Sequence, residues 1–241
     1  MEVIPAVDIR GGKAVRLFQG DYDRETVFDD SPVDAAKRWL DIGVTRLHVV
    51  DLDGAKTGEQ VNIALVERIA ALSDVPVQLG GGVRTVPAAQ RAIDSGVDRV
   101  IIGTAALEND EFVENLCDRL GPERVVAGVD ARNGYVAVRG WVEESEIPAR
   151  DLIARMEKAG VLRMVYTDIT RDGTRTEPSF QQVDEALHAT TLRILVAGGV
   201  SHIDHLRRLS EMGVEGAIIG TAAYTGDIDM REAIRKQESR A

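Results

Sequence analysis

Two aspartates stand at matching places in the sequence, each at the end of an apolar segment. Asp8 ends the segment Val3–Asp8, and Asp130 ends the segment Val125–Asp130. Polar groups at the carboxyl ends of parallel strands collect around a shared crevice, and two carboxylates in different surroundings can divide the roles of general acid and general base. Either aspartate alone would more simply cap a turn or pair with an arginine. The matched pair predicts a catalytic pocket between two carboxylates.

Two glycine-containing segments of the sequence are repeated. Gly-Gly-Val at 81–83 returns at 198–200, and Gly-Thr at 103–104 returns at 220–221, both at an offset of 117 residues (198 − 81 and 220 − 103). Backbone amides at the start of a helix can bind phosphate, so two copies predict a small-molecule substrate with two phosphates. The alternative is that the glycines serve tight turns. The candidate phosphate-binding residues are Gly81, Gly82, Gly103, Thr104, Gly198, Gly199, Gly220 and Thr221.

A further group of polar residues falls in or beside the predicted strand ends. The segment Thr167–Thr174 is polar and contains an Asp-Gly turn pair, which is typical of an active-site loop. Arginines can hold an anion bidentately, and a tryptophan can stack on a flat heterocycle. Solvated arginines and a tryptophan in the core would give the same sequence. The candidate substrate-binding residues here are Arg16, His48, Arg84, Arg139, Trp141 and Gly173.

Short apolar, β-branched segments alternate with amphipathic segments along the chain. Consecutive apolar residues are typical of parallel strands covered on both faces, and eight strand–helix units in 241 residues indicate a (β/α)₈ barrel, or TIM barrel, in one domain over residues 1–241. The constant offset predicts two duplicated half-barrels with equivalent groups facing each other across the mouth. The predicted strands are Glu2–Ile9, Arg46–Leu52, Val75–Leu79, Arg99–Ile102, Val125–Asp130, Arg163–Asp168, Ile194–Ala197 and Ala217–Ile219.

Two long polar segments, Asp21–Phe28 and Arg139–Glu146, follow predicted strands. Loops in such positions can close over a substrate and exclude water. We expect both segments to be lids that are mobile in the absence of ligand.

The composition excludes several classes of protein. The net charge of −11 argues against a nucleic-acid surface, and no apolar segment approaches the length of a membrane span. The single cysteine, Cys117, excludes a disulfide framework or a cysteine metal site within the chain. Met1 leads into a predicted strand without a signal-like segment. We therefore expect a cytoplasmic protein that binds neither nucleic acid nor membrane and has no metal site.

Four segments together resemble the ProFAR isomerase family of histidine biosynthesis: Ile4–Asp8, His48–Leu52, Gly80–Arg84 and Thr167–Thr174. The resemblance covers essentially the whole chain. It implies a (β/α)₈ enzyme of two half-barrels, whose substrate carries a phosphate at each end and which uses no metal or organic cofactor. We expect the protein to act as a monomer.

The resemblance also implies a reaction. Members of the family perform an Amadori rearrangement, in which the N-linked aminoaldose ProFAR becomes the aminoketose PRFAR. An acid opens the ribose ring to a Schiff base, and a base then removes the proton from the adjacent carbon. The residues that match the family's catalytic positions are Asp8, Asp130, Thr167 and Asp172. The resemblance does not decide which carboxylate is the acid and which is the base.

Three alternatives are open at this point. The cyclase subunit of imidazole glycerol phosphate synthase shares the duplicated barrel and both aspartates, but Val138–Trp141 and Thr167–Thr170 fit the isomerase better. The bifunctional isomerase of histidine and tryptophan biosynthesis typically has Ser-Gly-Gly where this chain has Gly80–Gly82. A non-catalytic phosphate-binding barrel would not need both Asp8 and Asp130. The sequence therefore favours a single-purpose isomerase.

Overall fold

The computed structural model describes residues 1–238, and residues 239–241 of the predicted domain lie outside the described residues. Within residues 1–238 the chain forms twelve strands, eleven α-helices and a 3₁₀ helix at Pro122–Arg124. The strands are β1 (Glu2–Arg10), β2 (Lys13–Phe18), β3 (Asp21–Asp29), β4 (Leu47–Asp51), β5 (Val77–Gly80), β6 (Arg99–Ile102), β7 (Val125–Arg132), β8 (Tyr135–Val138), β9 (Glu143–Pro148), β10 (Arg163–Asp168), β11 (Arg193–Ala197) and β12 (Gly216–Ile219). The helices are α1 (Pro32–Leu40), α2 (Leu52–Thr57), α3 (Ile63–Ala70), α4 (Val86–Asp94), α5 (Thr104–Glu108), α6 (Asp110–Leu120), α7 (Ala149–Lys158), α8 (Phe180–Ala189), α9 (Ile203–Met212), α10 (Thr221–Thr225) and α11 (Met230–Glu238).

Eight of the strands form a closed parallel ring. Each pairs in parallel with the next in the order β1, β4, β5, β6, β7, β10, β11 and β12, and β12 pairs with β1 to close the ring. The closing register runs from Glu2 opposite Gly216 to Pro5 opposite Ile219. The predicted (β/α)₈ barrel and its eight strands are confirmed. The duplication of two half-barrels stays a prediction from the sequence repeat.

The remaining four strands extend the barrel at its mouth as two antiparallel hairpins. The first, β2 and β3, continues from β1, and the second, β8 and β9, continues from β7. Their first turns are Gly11-Gly12 and Asn133-Gly134, in which both residues have positive φ. Positive φ at both central residues defines the type I′ hairpin turn. The two predicted lid loops are wrong in this respect, because Asp21–Phe28 lies within β3 and part of Arg139–Glu146 belongs to β9.

Side chains alternate along each ring strand, and every second one points into the barrel. An aliphatic layer fills the middle of the interior, contributed by Ile4, Ala6, Val126, Val165, Leu195 and Ile218. Two residues beyond Ala6 on β1 stands Asp8, and four beyond Val126 on β7 stands Asp130. The period of the strand therefore aims both carboxylates into the mouth, above a packed apolar floor.

Ion pairs stabilise the end of the barrel opposite the mouth. Arg46 Nη1 donates to Asp98 Oδ2 at 2.6 Å, and Arg163 Nη2 donates to Glu215 Oε1 at 2.8 Å. Both arginines are buried, and a buried charge is tolerated only when it is paired. Polar residues at this end of a TIM barrel serve stability, and those at the carboxyl ends of the strands serve chemistry.

Candidate active site

One cavity of about 1260 Å³ lies at the carboxyl ends of the ring strands, and both Asp8 and Asp130 line it. Thr167 on β10 is directly opposite Asp130 in the sheet register and lines the same cavity. Asp172, from the loop after β10, completes the set. The four residues that match the family's catalytic positions are therefore brought together, although they come from three separate parts of the chain.

The surroundings of Asp8 are charged. Arg16 Nη1 donates to Asp8 Oδ2 at 2.7 Å, and Arg16 Nη2 donates to Asp172 Oδ1 at 3.3 Å. The other oxygen, Asp8 Oδ1, is buried without a hydrogen-bond partner in residues 1–238. Burial raises the pKa of Asp8 to about 6, against the lowering effect of the Arg16 charge and with a small further rise from Asp172. Asp8 thus titrates close to neutral pH.

The hydrogen-bond partners of Asp130 are uncharged. Burial raises the pKa of Asp130, while hydrogen bonds from the Trp141 indole and the Thr167 hydroxyl lower it in part, and Asp172 raises it. No arginine contributes to this shift, in contrast to Asp8. Two carboxylates with different partners in one cavity are what a division between acid and base requires.

The two predicted phosphate sites occupy different places. Gly81, Gly82, Gly103 and Thr104 line the large cavity. Gly198 and Gly220 border both this cavity and an adjoining one of about 260 Å³, which is lined also by Gly173, Gly199 and Thr221. Gly103 and Gly220 are the N-caps of α5 and α10, and neither supplies a side chain to cap its helix. Both helix starts thus border the cavities, where their backbone amides could bind an anion.

The glycine pairs have a second explanation in backbone packing. Gly81 has a φ of +95°, and a Cβ added to it would lie 2.1 Å from the Asp51 carbonyl oxygen. Gly198 has a φ of +90°, and its added Cβ would lie 2.6 Å from the Asp168 carbonyl oxygen. Neither position tolerates a side chain, whether or not a ligand binds. Among the predicted phosphate-binding glycines, only Gly103 has room for a side chain within residues 1–238, since the nearest atom to its added Cβ is 4.0 Å away.

His48 and Gln78 form a buried polar pair at the cavity wall. Gln78 is fully buried, and its Nε2 lies 2.9 Å from His48 Nδ1. An amide nitrogen can only donate, so Nδ1 accepts and the ring proton is on Nε2. Burial, assisted by Arg16, lowers the pKa of His48 to about 3, which keeps the ring neutral. Gln78 was not among the predicted residues, although it is the one polar side chain in the predicted strand Val75–Leu79.

The two hairpins meet over the cavity through aromatic side chains. The ring of Trp141 packs against Gly20, where an added Cβ would lie 2.3 Å from the ring, and the Tyr22 hydroxyl packs in the same way against Gly140 at 2.7 Å. Tyr22, which the sequence analysis missed, lines the cavity and donates to the Leu52 carbonyl at 3.2 Å. Each hairpin thus packs an aromatic side chain against a glycine of the other hairpin.

Two more arginines line the cavity. Arg84 Nη2 donates to the Ala55 carbonyl at 3.2 Å. The backbone amide of Arg139 donates to Thr104 Oγ1 at 2.9 Å, while its exposed guanidinium pairs with Glu143. Within residues 1–238, no three His, Cys, Asp or Glu side chains come together as a metal site would require, and no helix is long and apolar enough to cross a membrane.

Curated relatives cover nearly the whole chain. A protein of Dehalococcoides mccartyi (strain CBDB1) is 49% identical over 233 residues, which are 97% of this chain and 95% of the relative. A protein of Roseiflexus sp. (strain RS-1) is 49% identical over 234 residues, 97% of this chain and 98% of the relative. One of Cyanothece sp. (strain PCC 7425 / ATCC 29141) is 50% identical over 238 residues, 98% of this chain and 92% of the relative. All three are named 1-(5-phosphoribosyl)-5-((5-phosphoribosylamino)methylideneamino)imidazole-4-carboxamide isomerase.

A family model gives the same result from a different comparison. The model described as "Histidine biosynthesis protein" matches residues 2–229, a span that includes all eight ring strands and every residue of the cavity described above. The chain belongs to the histidine biosynthesis protein family.

Proposed function

We propose that this protein is an enzyme of histidine biosynthesis that isomerises ProFAR, the compound in the printed name of its relatives, to the ketose PRFAR. The observation that carries the proposal is the pair of inward-facing carboxylates, Asp8 and Asp130, in one cavity between two glycine-led helix starts. Each of the substrate's two phosphoribosyl groups would place its phosphate at one of these starts. We further propose that the protein acts in the cytoplasm as a monomer.

The different surroundings of the two aspartates suggest their roles. Asp130 has no cation beside it and has a raised pKa, so we assign it the protonated form, which protonates the ribose ring oxygen as the ring opens to the Schiff base. Asp8 is held beside Arg16, whose positive charge favours the carboxylate form. We therefore assign Asp8 the removal of the proton from the carbon next to the Schiff base. The enolamine that results takes up a proton at the former aldehyde carbon and becomes the ketose.

The remaining polar groups of the cavity would orient the substrate. Neutral His48 presents Nε2–H as a hydrogen-bond donor, because Nδ1 is occupied by Gln78. Thr167 donates to the Asp130 carboxylate and keeps that group in place. Trp141 lies beside Asp130 and can stack on the imidazole of the substrate.

A direct assay tests the proposal. Purified protein is incubated with ProFAR, and PRFAR is quantified by liquid chromatography and mass spectrometry. We expect turnover without added metal or cofactor. A substrate analogue that lacks either terminal phosphate should show a raised KM, because each phosphate would lose one binding site. If ProFAR binds but is not converted to PRFAR, the result contradicts the proposal and supports the alternative of a non-catalytic phosphate-binding barrel.

The pH dependence of activity should follow Asp8 on the acidic side. The pKa of Asp8 is raised to about 6, and a base works only when deprotonated. We therefore expect kcat/KM to fall about tenfold per pH unit as the pH drops below about 6. Loss of the Asp130 proton should give a second limb on the alkaline side. The profile is measured from about pH 4 to about pH 9, and an acidic limb near pH 4, the ordinary range of aspartate, would contradict the assignment.

The bifunctional alternative is tested at Gly80. We expect phosphoribosylanthranilate to be turned over with a kcat/KM more than about tenfold below that for ProFAR, a difference of ~1.4 kcal/mol in transition-state stabilisation. A Cβ at Gly80 would meet nothing closer than 3.8 Å, so Gly80→Ser fits the structure. If the serine of the bifunctional enzymes matters here, this variant should raise anthranilate turnover. If the parent protein has a similar kcat/KM for ProFAR and for phosphoribosylanthranilate, the prediction of a single-purpose isomerase is wrong.

A further inference from the structure

Arg16 lies between two carboxylates that come from distant parts of the sequence. It lies on β2, immediately after Val15, which is paired with Asp8 in the β1–β2 register. Its two terminal nitrogens are divided between Asp8 on β1 and Asp172 in the loop after β10. The fork of a guanidinium matches two acceptors held at a fixed separation, which a point charge cannot do.

We propose that Arg16 is a positioning residue that joins Asp8 and Asp172 into one unit, and that the lack of a side chain at Gly220 makes room for this unit. The proposal rests on the proposed function and gives Arg16 a role other than the grip on the substrate expected from the sequence. The substrate would meet Asp8, already oriented, and not the guanidinium.

The burial of the Arg16 guanidinium indicates that it serves protein groups and does not bind the substrate. The Arg16 side chain is 10% exposed, and its Nε is buried without a partner in residues 1–238. Behind it lies the backbone of Gly220, where an added Cβ would be 2.3 Å from Arg16 Nη2. A side chain at 220 would therefore displace the guanidinium.

The equivalent place in the other part of the ring has no such arginine. Gly103, offset by 117 residues from Gly220, also N-caps a short helix, with φ of −104°. Within residues 1–238 its added Cβ would meet nothing closer than 4.0 Å, and the groups that shift the pKa of Asp130 include no cation. Arg16 is thus the feature that makes the two aspartates different. Its charge opposes the burial that would otherwise keep Asp8 protonated.

Three further titratable groups beside the unit are neutral at physiological pH. His48 on β4 has its pKa lowered to about 3, and Tyr224 on α10 has its pKa raised to about 12, mainly by burial. Tyr22 on β3 also has a raised pKa. The charge balance at Asp8 is therefore set by Arg16 and Asp172.

Two independent substitutions test the proposal. Arg16→Met removes the fork, and Gly220→Ala displaces it while leaving the arginine in the chain. For both variants we expect kcat to fall roughly ten- to hundredfold through misplacement of the base, with KM changed much less. We also expect the acidic limb of the kcat/KM profile to move up by about one pH unit. Arg16→Lys, which restores a charge without the fork, should return the limb toward the parent pH and recover only part of kcat.

Controls separate this result from a general loss of structure. Gly103→Ala adds the same methyl group at the equivalent helix start and should leave the acidic limb in place, whatever its effect on KM. Arg155→Met removes an ion pair with Asp110 that lies outside the cavity, and it should change neither kcat nor the limb. A raised KM with unchanged kcat and limb in Arg16→Met would make Arg16 a substrate-binding residue. A uniform loss of activity with the limb unmoved would make it purely structural. Either result overturns the proposal.

A measurement without turnover keeps this proposal apart from the proposed function. Titration of the Asp8 carboxyl carbon by NMR should show a higher midpoint in Arg16→Met and Gly220→Ala than in the parent. If the parent does not convert ProFAR, the proposed function fails, and the NMR midpoints still decide whether Arg16 controls Asp8. If the Asp8 titration midpoint is unchanged in both variants, the proposed unit of Arg16, Asp8 and Asp172 is wrong, even if the protein isomerises ProFAR.

Discussion

Replacement of Asp8 or Asp130 by asparagine is expected to lower kcat for ProFAR by ~10²–10⁴-fold, with little change in KM. Asparagine keeps the shape of the side chain but can neither take up nor release the proton. Both carboxylates line the same cavity, and the phosphate sites expected at Gly103 and Gly220 are untouched by either change. The measurement is a steady-state determination of kcat and KM for each variant at the pH optimum of the parent.

Asp53→Asn serves as the control for this experiment. Asp53 is a carboxylate at the same end of the barrel that accepts from the Gly11 amide and from Asn62 and does not line the cavity. We expect it to keep a kcat near that of the parent. Full activity in Asp8→Asn or Asp130→Asn would remove that residue from the mechanism.

The second large effect is expected on stability, at Gly81. Alanine there must adopt a left-handed backbone, which costs about 1–2 kcal/mol, and must place its methyl group 2.1 Å from the Asp51 carbonyl oxygen. A displaced backbone adds an overpacking cost of typically about 1–3 kcal/mol. We therefore expect Gly81→Ala to reduce the free energy of unfolding by about 2–5 kcal/mol. Urea denaturation followed by circular dichroism measures this change.

Gly43→Ala isolates the backbone part of that cost. Gly43 has a φ of +86°, close to that of Gly81, but an added Cβ meets nothing within 4 Å. Its substitution should cost only the strain of a left-handed alanine, about 1–2 kcal/mol. Equal losses in the two variants would show that the Asp51 carbonyl yields easily, and the packing explanation for the glycine pair would fail.

The ring strands and the positions of Asp8 and Asp130 could be predicted because they depend on local patterns. Apolar segments covered on both faces are evident in a sequence, and the residue that ends such a strand lies at the mouth of the barrel whatever the loops do. The observed strands differ from the predicted ones by at most two residues at either end.

The two hairpins could not be recognised in the same way. The strand β3 is mostly exposed and polar, so it has no apolar pattern that would distinguish it from a loop. The turn Asn133-Gly134 was the available signal, because this pair is strongly preferred in two-residue hairpins. Tyr22, which lies on β3, was missed for the same reason.

The contacts on which the proposed chemistry depends could not be predicted from the sequence either. Arg16 and Asp172 are 156 residues apart in the chain, and nothing in either local segment indicates that they meet. The reason for each glycine was equally hidden. Gly81 and Gly198 avoid a carbonyl oxygen and Gly220 avoids a guanidinium, although all three occur in repeated glycine-containing segments.

Closure of the ring by β1 and β12 has a consequence for how the protein folds. The register from Glu2 opposite Gly216 to Pro5 opposite Ile219 joins residues more than two hundred positions apart, and pairings of such long range slow folding. While the chain is being synthesised, β1 has a free edge until β12 has left the ribosome. Unpaired edges of this kind invite association with other chains. Refolding yield should therefore fall as protein concentration rises, with the free edge of β1 as the surface through which aggregation begins.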